Sequence, residues 1–202
     1  MAYVALRFYA ELNDFLRDEQ KKSRFEIELT RRTSVKDLIE SLGVPHTEVE
    51  IILANGRSVD FSYIVMDEDE LSVYPMFESI DVTPLLKLRD SPLRKTRFVL
   101  DCHLGRLARY LRQLGFDSLY RNDYTDDQLA QTSAEQNRIL LTRDRNLLKR
   151  SIVTHGYFIR EFDPRKQLDE VIQRFDLKAQ IIPFGRCTLC NGIVEQVDKQ
   201  RI

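Results

Sequence analysis

At 202 residues, 43% hydrophobic and 31% charged, the chain carries enough apolar material for one ordinary domain or two small ones, and its composition excludes a disordered polymer. The net charge of −1 conceals a split: residues 1–82 hold 9 Lys/Arg against 17 Asp/Glu, and residues 83–202 hold 22 against 15. That polarity predicts two units with different electrostatic tasks, the basic one suited to a polyanion such as nucleic acid; the plainer alternative is two solvated surfaces that attract one another.

The first unit reads as strands around one helix. In "VALRFYA", Val4, Leu6 and Phe8 share a face, and in "RFEIELT" Phe25, Ile27 and Leu29 do the same. "SVKDLIESLG" predicts a helix capped by Ser34, with Leu38, Ile39 and Leu42 on one side and Gly43 as its stop. "VEIILANGRSVDF" offers a strand, an Asn55-Gly56 turn and a return strand, and "DELSVYPM" brings Leu71, Val73 and Tyr74 into a last strand. This order predicts a ubiquitin-like β-grasp over 1–82. Residues 83–96, with two prolines and no period, read as a linker.

The second unit alternates strand and helix. "RFVLD" is a strand, and "LGRLARYLRQLG" a helix with Leu104, Leu107, Ala108, Leu111 and Leu114 on one side. "FDSLYRND", "RILLTRD" and "YFIRE" are further strands, separated by helices over "TDDQLAQTSAEQN" and, briefly, "RNLLKRS"; "DPRKQLDEVIQRF" is the last helix. The pattern predicts an α/β domain over 97–184 with a mostly parallel sheet. No apolar run approaches the ~20 residues of a membrane span, and the N-terminus lacks a signal-peptide pattern, so a cytoplasmic protein that avoids membranes is expected. Three cysteines do not suggest a disulfide framework.

Sites in open α/β sheets form where the loops leave the carboxyl ends of the strands. Asp101, Asp123 and Asp144 each end a predicted strand, while Asp126 and Asp127 open the helix that a Thr125–Gln128 capping box would start. Any one of these aspartates is explained as a helix cap. Together on one rim they would repel unless a cation lay among them, and hard Mg²⁺ or Mn²⁺, as one ion or two, suits oxygen ligands and phosphate chemistry. Arg106, Arg109 and Arg112 lie off the leucine side of their helix, and Arg143, Arg145, Lys149 and Arg150 flank Asp144. These are either ordinary solvated charges or a phosphate-binding groove. Tyr110, Tyr120 and Tyr124 are suited to base stacking or to packing.

"FVLDCHLGRLARYLRQLGFDSLYRND", "TDDQLAQTSAEQNRILLTRD" and "RCTLCNG" together resemble the Mut-seven C-terminal ribonuclease family, a PIN-like nuclease group, over about residues 96–195. "EIILANGRSVDFSYIVMDEDELSVYPMFES" resembles the ubiquitin-like domain fused ahead of that nuclease. The resemblance implies a PIN-like fold and metal-dependent hydrolysis of RNA phosphodiesters. By position it makes Asp101, Asp126 and Asp144 the catalytic and metal-binding carboxylates, with Asp123 or Asp127 completing the metal site. It implies no catalytic histidine, leaving His46, His103 and His155 to packing or surface roles. RNA is the implied partner, and a homodimer fits the PIN-like group.

Two departures from the family stand out. The family continues past "CTLCNG" into a second cysteine pair that completes a zinc ribbon. Here Cys187 and Cys190 form one Cys-x-x-Cys, and Cys102 is the only other cysteine, so residues 185–202 are expected to be a partial ribbon. Natural loss, truncation and completion by another chain all fit that pattern, and Zn²⁺ is the weaker cofactor expectation. Related sulfur carriers end in a free Gly-Gly tail, whereas this last strand runs into "YPMFESIDV". Sulfur carriage is therefore disfavoured, and the acidic unit is left to bind a protein partner or regulate the nuclease. Rival readings are a catalytically silent RNA-binding adaptor, a sulfur-transfer or tRNA-modification accessory, and a phosphatase of small esters.

Overall fold

In the computed structural model, which describes residues 2–75 and 96–195, the chain divides into two units, Met1–Pro92 and Leu93–Ile202. The linker expected over 83–96 lies, apart from Thr96, outside the described residues. Among the described residues no helix is long and apolar enough to cross a membrane.

The alternation in the first segment becomes β1 (Ala2–Phe8), which buries Val4, Leu6 and Phe8. It pairs antiparallel with β2 (Phe25–Leu29), whose inward residues stay half-buried because β2 is an edge strand. Helix α1 (Val35–Ser41) starts where the Ser34 hydroxyl accepts the Asp37 N–H at 3.1 Å, and it buries Val35, Leu38 and Ile39. Strands β3 (Val49–Ala54) and β4 (Arg57–Val59) form a hairpin whose Asn55 and Gly56 both take positive φ, as a two-residue turn of this hand requires. The last strand, β5 (Glu70–Pro75), runs parallel to β1 and antiparallel to β3, giving the sheet order β2-β1-β5-β3-β4. This is the β-grasp arrangement expected from the sequence. Residues 10–15, where periodicity predicts no element, form a 3-10 turn that buries Leu12 and Phe15.

The second unit is a doubly wound α/β layer structure. Its strands are β6 (Arg97–Leu100), β7 (Asp117–Tyr120), β8 (Ile139–Thr142) and β9 (Gly156–Phe158), all parallel, in the order β7-β6-β8-β9. After Arg97, central β6 is the apolar run Phe98, Val99 and Leu100, all fully buried because both its faces are covered. Phe98 and Leu100 pack with Ile139 and Leu141 against α2 (Gly105–Gln113) and α5 (Pro164–Arg174). Val99 and Leu140 face the other way, against α3 (Asp126–Gln136) and the single-turn α4 (Arg145–Leu148). Each fully buried leucine on these helices stabilises the unit by about 2 kcal/mol.

Two glycines are dictated by close approach. A Cβ on Gly115, which ends α2 at φ +94°, would lie 2.4 Å from the Ile182 carbonyl oxygen; one on Gly105 would lie 2.6 Å from the Tyr120 hydroxyl. The chain moves from β6 outward to β7 and returns across β6 to β8. The sheet therefore reverses its winding between β6 and β8, and a crevice opens at the carboxyl ends of those two strands.

Candidate active site

The first residue beyond β6 is Asp101, whose N–H still donates to the Leu141 carbonyl at 3.1 Å and so continues the ladder toward β8. Its side chain is 7% exposed. One oxygen, Oδ1, accepts the Cys102 N–H at 2.6 Å and caps the 3-10 turn leading into α2. The other, Oδ2, accepts the fully buried Thr142 hydroxyl at 2.5 Å. That same hydroxyl accepts the N–H of Asp144 at 2.9 Å. One threonine oxygen thus ties the end of β6 to the end of β8, across the switch point. Asp144 in turn caps α4, its Oδ1 accepting the Asn146 N–H at 2.7 Å. The capping role and the rim position coexist: each carboxylate spends part of its acceptor capacity locally and, with about four lone-pair sites, retains the rest.

The other predicted carboxylates are held differently. The capping box of Thr125 and Gln128 is present and sets Asp126 and Asp127 on the first turn of α3. Asp127 pairs with Arg150, a short contact between Oδ1 and Nη1. The Arg150 guanidinium is pushed up by its hydrogen bond to Asp127 and by the charges of Asp127, Asp126 and Asp144. Arg150 is thus the cation paired with Asp127, and Asp126 and Asp144 act on it through their charge alone. Asp123 lies apart, exposed and bound by both Arg121 nitrogens at 2.9 and 2.7 Å. That pairing holds its carboxyl below the usual range.

Among the described residues, the group of three metal-competent side chains with ligand atoms within 4.8 Å of one another is Asp101, Cys102 and His103. The His103 Nδ1 lies 3.4 Å from Asp101 Oδ2. Burial, followed by the adjacent Asp101 carboxylate, pushes the Cys102 thiol up, so the neutral thiol is favoured over the thiolate that a soft metal site needs. Asp144 is linked to Asp101 through Thr142, and neither Asp144 nor Asp126 joins that group of ligand atoms among the described residues. His103 stands beside Asp101, although the sequence predicts a packing or surface role for it.

The predicted cations separate into two kinds. Arg106 and Arg109 are exposed on α2, and among the described residues neither side chain has a hydrogen bond or ion pair. Both line a cavity of about 420 Å³ together with Cys102 and His103. Arg112 corrects the sequence expectation. It is 4% exposed, and its guanidinium donates to the carbonyls of Ser118 at 2.8 Å and Leu189 at 2.7 Å. It is scaffold, closed to a phosphate. Arg143 is also engaged, donating to the Glu161 carbonyl at 2.6 Å and lying over the Phe162 ring. Arg145 is exposed and faces the Phe158 ring, and Lys149 is half-buried at the end of α4. Thr142 and Arg150 organise the rim; Arg150 is expected from the sequence only as a cation flanking Asp144, and Thr142 is not predicted as a site residue. The only local signal for Thr142 is its place two residues before Asp144.

Residues 96–202, more than half of the chain, match the family model described as the Mut7-C RNAse domain, and residues 1–81 match the one described as Mut7-C ubiquitin. The chain belongs to the Mut7-C RNAse domain family. No curated protein matches it. One solved structure, the H. volcanii small archaeal modifier protein 1, is similar at 16% identity and a TM-score of 0.30, covering 37% of this chain and 98% of that one.

Within this Mut7-C RNAse domain the Cys-x-x-Cys knuckle is held by hydrogen bonds. Cys187 N–H donates to the Gly192 carbonyl at 2.8 Å, and Asn191 N–H to the Cys187 carbonyl at 3.0 Å. Asn191 bridges to Ser118 and Asp117, and Arg186 reaches Asp117. The backbone N–H groups of Cys190 and Leu189 lower the Cys187 thiol, with Arg112 adding its charge. Structural zinc takes four ligands; the described residues bring no third metal-competent side chain to Cys187 and Cys190. The pair does not fit a closed zinc site.

Proposed function

We propose that this protein is a metal-dependent ribonuclease that hydrolyses RNA phosphodiester bonds at the rim of the second unit. The observation that carries this reading is the Asp101–Thr142–Asp144 linkage at the switch point. One buried hydroxyl holds the Asp101 carboxylate and the backbone N–H of Asp144, residues that follow adjacent central strands, near Arg106 and Arg109, whose guanidinium groups have no partner among the described residues. Asp101 and Asp144 would hold Mg²⁺ or Mn²⁺, with Asp126 as the third ligand. When bound, such an ion lowers the pKa of water and offsets charge on the phosphoryl oxygens.

The chain's own residues have distinct tasks in this reading. Thr142 fixes the Asp101 rotamer, and the cap at Cys102 fixes its other oxygen, so the carboxylate is preorganised. His103 lies near the same region, its Nδ1 3.4 Å from Asp101 Oδ2. Arg106 and Arg109 orient the phosphate backbone. RNA is the partner, and Asp123 and Asp127 adjust the local field while bound by arginines. The partial ribbon at 185–202, a homodimer, and a protein partner for the acidic ubiquitin-like unit belong to the same reading as expectations, as does a cytoplasmic location. The PIN-like label and the domain limits 1–82 and 97–184 are part of it too.

One observation favours a second reading. Arg150 already pairs with Asp127 and lies in the field of Asp126 and Asp144, an arrangement that suits a protein which binds RNA without cutting it.

Labelled single-stranded RNA with Mg²⁺, Mn²⁺ or EDTA separates the two. Cleavage by wild type that chelation abolishes, and that folded Asp101→Asn and Asp144→Asn both lack, supports the nuclease. Binding that persists unchanged in EDTA, without cleavage under any metal, supports the adaptor.

A further inference from the structure

The cavity beside the carboxylate rim has a second wall that the nuclease reading leaves without a task. Lining it with Arg106 and Arg109 is Phe162, 82% exposed, the most exposed large apolar side chain among the described residues. An aromatic ring of this size is normally buried to recover its hydrophobic free energy. Here it is held in the open. The Arg143 guanidinium lies 3.8 Å from its centroid on one face and is itself tied to the carbonyls of Arg160 at 3.1 Å and Glu161 at 2.6 Å.

The floor is equally well fixed. Gln167, 6% exposed, lines the cavity and donates its Nε2 to the Glu161 carbonyl at 2.9 Å. Tyr120 closes one end, its hydroxyl donating to the Cys102 carbonyl at 2.7 Å, over a Gly105 that has no room for a Cβ. Cys102 and His103, which follow Asp101 directly, line that same end.

Two cations on one helix, unpaired among the described residues, a braced aromatic ring in the same cavity and a volume of about 420 Å³ describe a receptor for one group that carries both an anion and a flat ring. An unpaired nucleotide has that form. A duplex does not, because its bases are stacked on one another and its width exceeds the cavity. We propose that this cavity seats one unpaired nucleotide of the RNA adjoining the cleavage point, its base stacked on Phe162 and its phosphate held by Arg106 and Arg109. The inference rests on the nuclease reading and adds what that reading lacks, a reason for single-stranded substrate and a register for the cut.

The test uses the full chain with an octamer of single-stranded RNA carrying 2-aminopurine at one position at a time. Fluorescence and affinity are read in EDTA, and cleavage in Mn²⁺. Wild type quenches the probe at one position next to the cleavage point. Phe162→Ala abolishes that quench and weakens binding by about 5- to 100-fold, while Phe162→Trp retains both. Arg106→Ala and Arg109→Ala each lower the salt dependence of binding by about one phosphate contact. The exposed position of Phe162 means that its variants fold. If Phe162→Ala quenches and binds like wild type while Asp101→Asn is inactive, the nucleotide seat is wrong and the nuclease stands. If wild type neither binds nor cleaves the octamer, both readings fail.

Discussion

Among the described residues each unit buries one aspartate next to a turn, and the two are used in opposite ways. Asp69 in the first unit is 4% exposed and Asp101 in the second is 7% exposed. Asp69 accepts from Asn55 Nδ2 at 2.7 Å, the Tyr63 hydroxyl at 2.9 Å and the Met66 N–H at 2.8 Å. These donors converge from the β3–β4 turn and from the loop before β5, so the carboxylate acts as a staple for the sheet. Burial, with Asp69 next, pushes the Tyr63 phenol up, which keeps it a donor. Asp101 receives one backbone and one hydroxyl donor, and its further neighbours are groups that titrate or coordinate. Burial alone therefore does not mark a functional carboxylate. What distinguishes Asp101 is its place at a switch point, where the ladder stops and loops diverge.

The strongest way to break the comparison is to exchange structure for activity. Asp101→Asn keeps the acceptor for Cys102 and removes the charge; RNA cleavage should fall by about 10³-fold, with far-ultraviolet circular dichroism unchanged. Asp69→Ala should do the reverse. It strands Asn55 and Tyr63 and removes three hydrogen bonds, costing the first unit about 3 kcal/mol, read as a lower urea midpoint. Cleavage per folded molecule should stay near the wild-type value. Equal effects of the two substitutions on stability would dissolve the distinction.

A smaller effect sharpens it through pH. Asp117, at the start of β7, is raised by burial and lowered more strongly by Arg138, Asn191 and Arg186, which together hold it below the usual carboxylate range. A carboxyl depressed in the folded state contributes stability above its unfolded pKa of about 4, and that contribution is lost as pH falls through the folded value. The Tm of the second unit should therefore fall below about pH 4. In Asp117→Asn that acid-dependent step should be flattened, with a lower Tm at pH 7. An unaltered acid limb in the variant would remove Asp117 from the account.

These residues also mark what was legible in the sequence. The strand alternation of β1, the Ser34 cap, the Asn55-Gly56 turn and the Thr125–Gln128 box are local patterns, and the structure contains each of them. The rim positions of Asp101 and Asp144 followed from strand ends and a parallel sheet. Arg112 was misplaced because a helical wheel shows only which side avoids the leucines. The knuckle that covers it comes from Leu189, 77 residues later, and no periodicity carries that pairing. Thr142 was hidden for a related reason: a buried hydroxyl at a strand end looks like a β-branched core residue until its partners are placed. Arg150 was visible as a nearby cation, but its pairing with Asp127 spans 23 residues.

The smallest expected effect bears on that last pair and on the choice between nuclease and adaptor. Asp127 is largely open to solvent and Arg150 half-buried, and surface pairs of this kind add little to stability. Arg150→Gln should accordingly leave the Tm nearly unchanged. Its electrostatic consequence is different, because Asp126, Asp127 and Asp144 all lose the same counter-charge. Three carboxylates without it repel one another, and a divalent cation relieves that repulsion better than sodium does. The midpoint for Mn²⁺ binding, followed by isothermal titration, should move to lower concentration by about 2- to 5-fold, and cleavage at limiting metal should rise with it. In an adaptor, where Arg150 is the resident cation and no metal is required, the same variant would gain no Mn²⁺ affinity and no activity. A substitution almost silent in stability thus separates the two readings by the sign of its effect on metal binding.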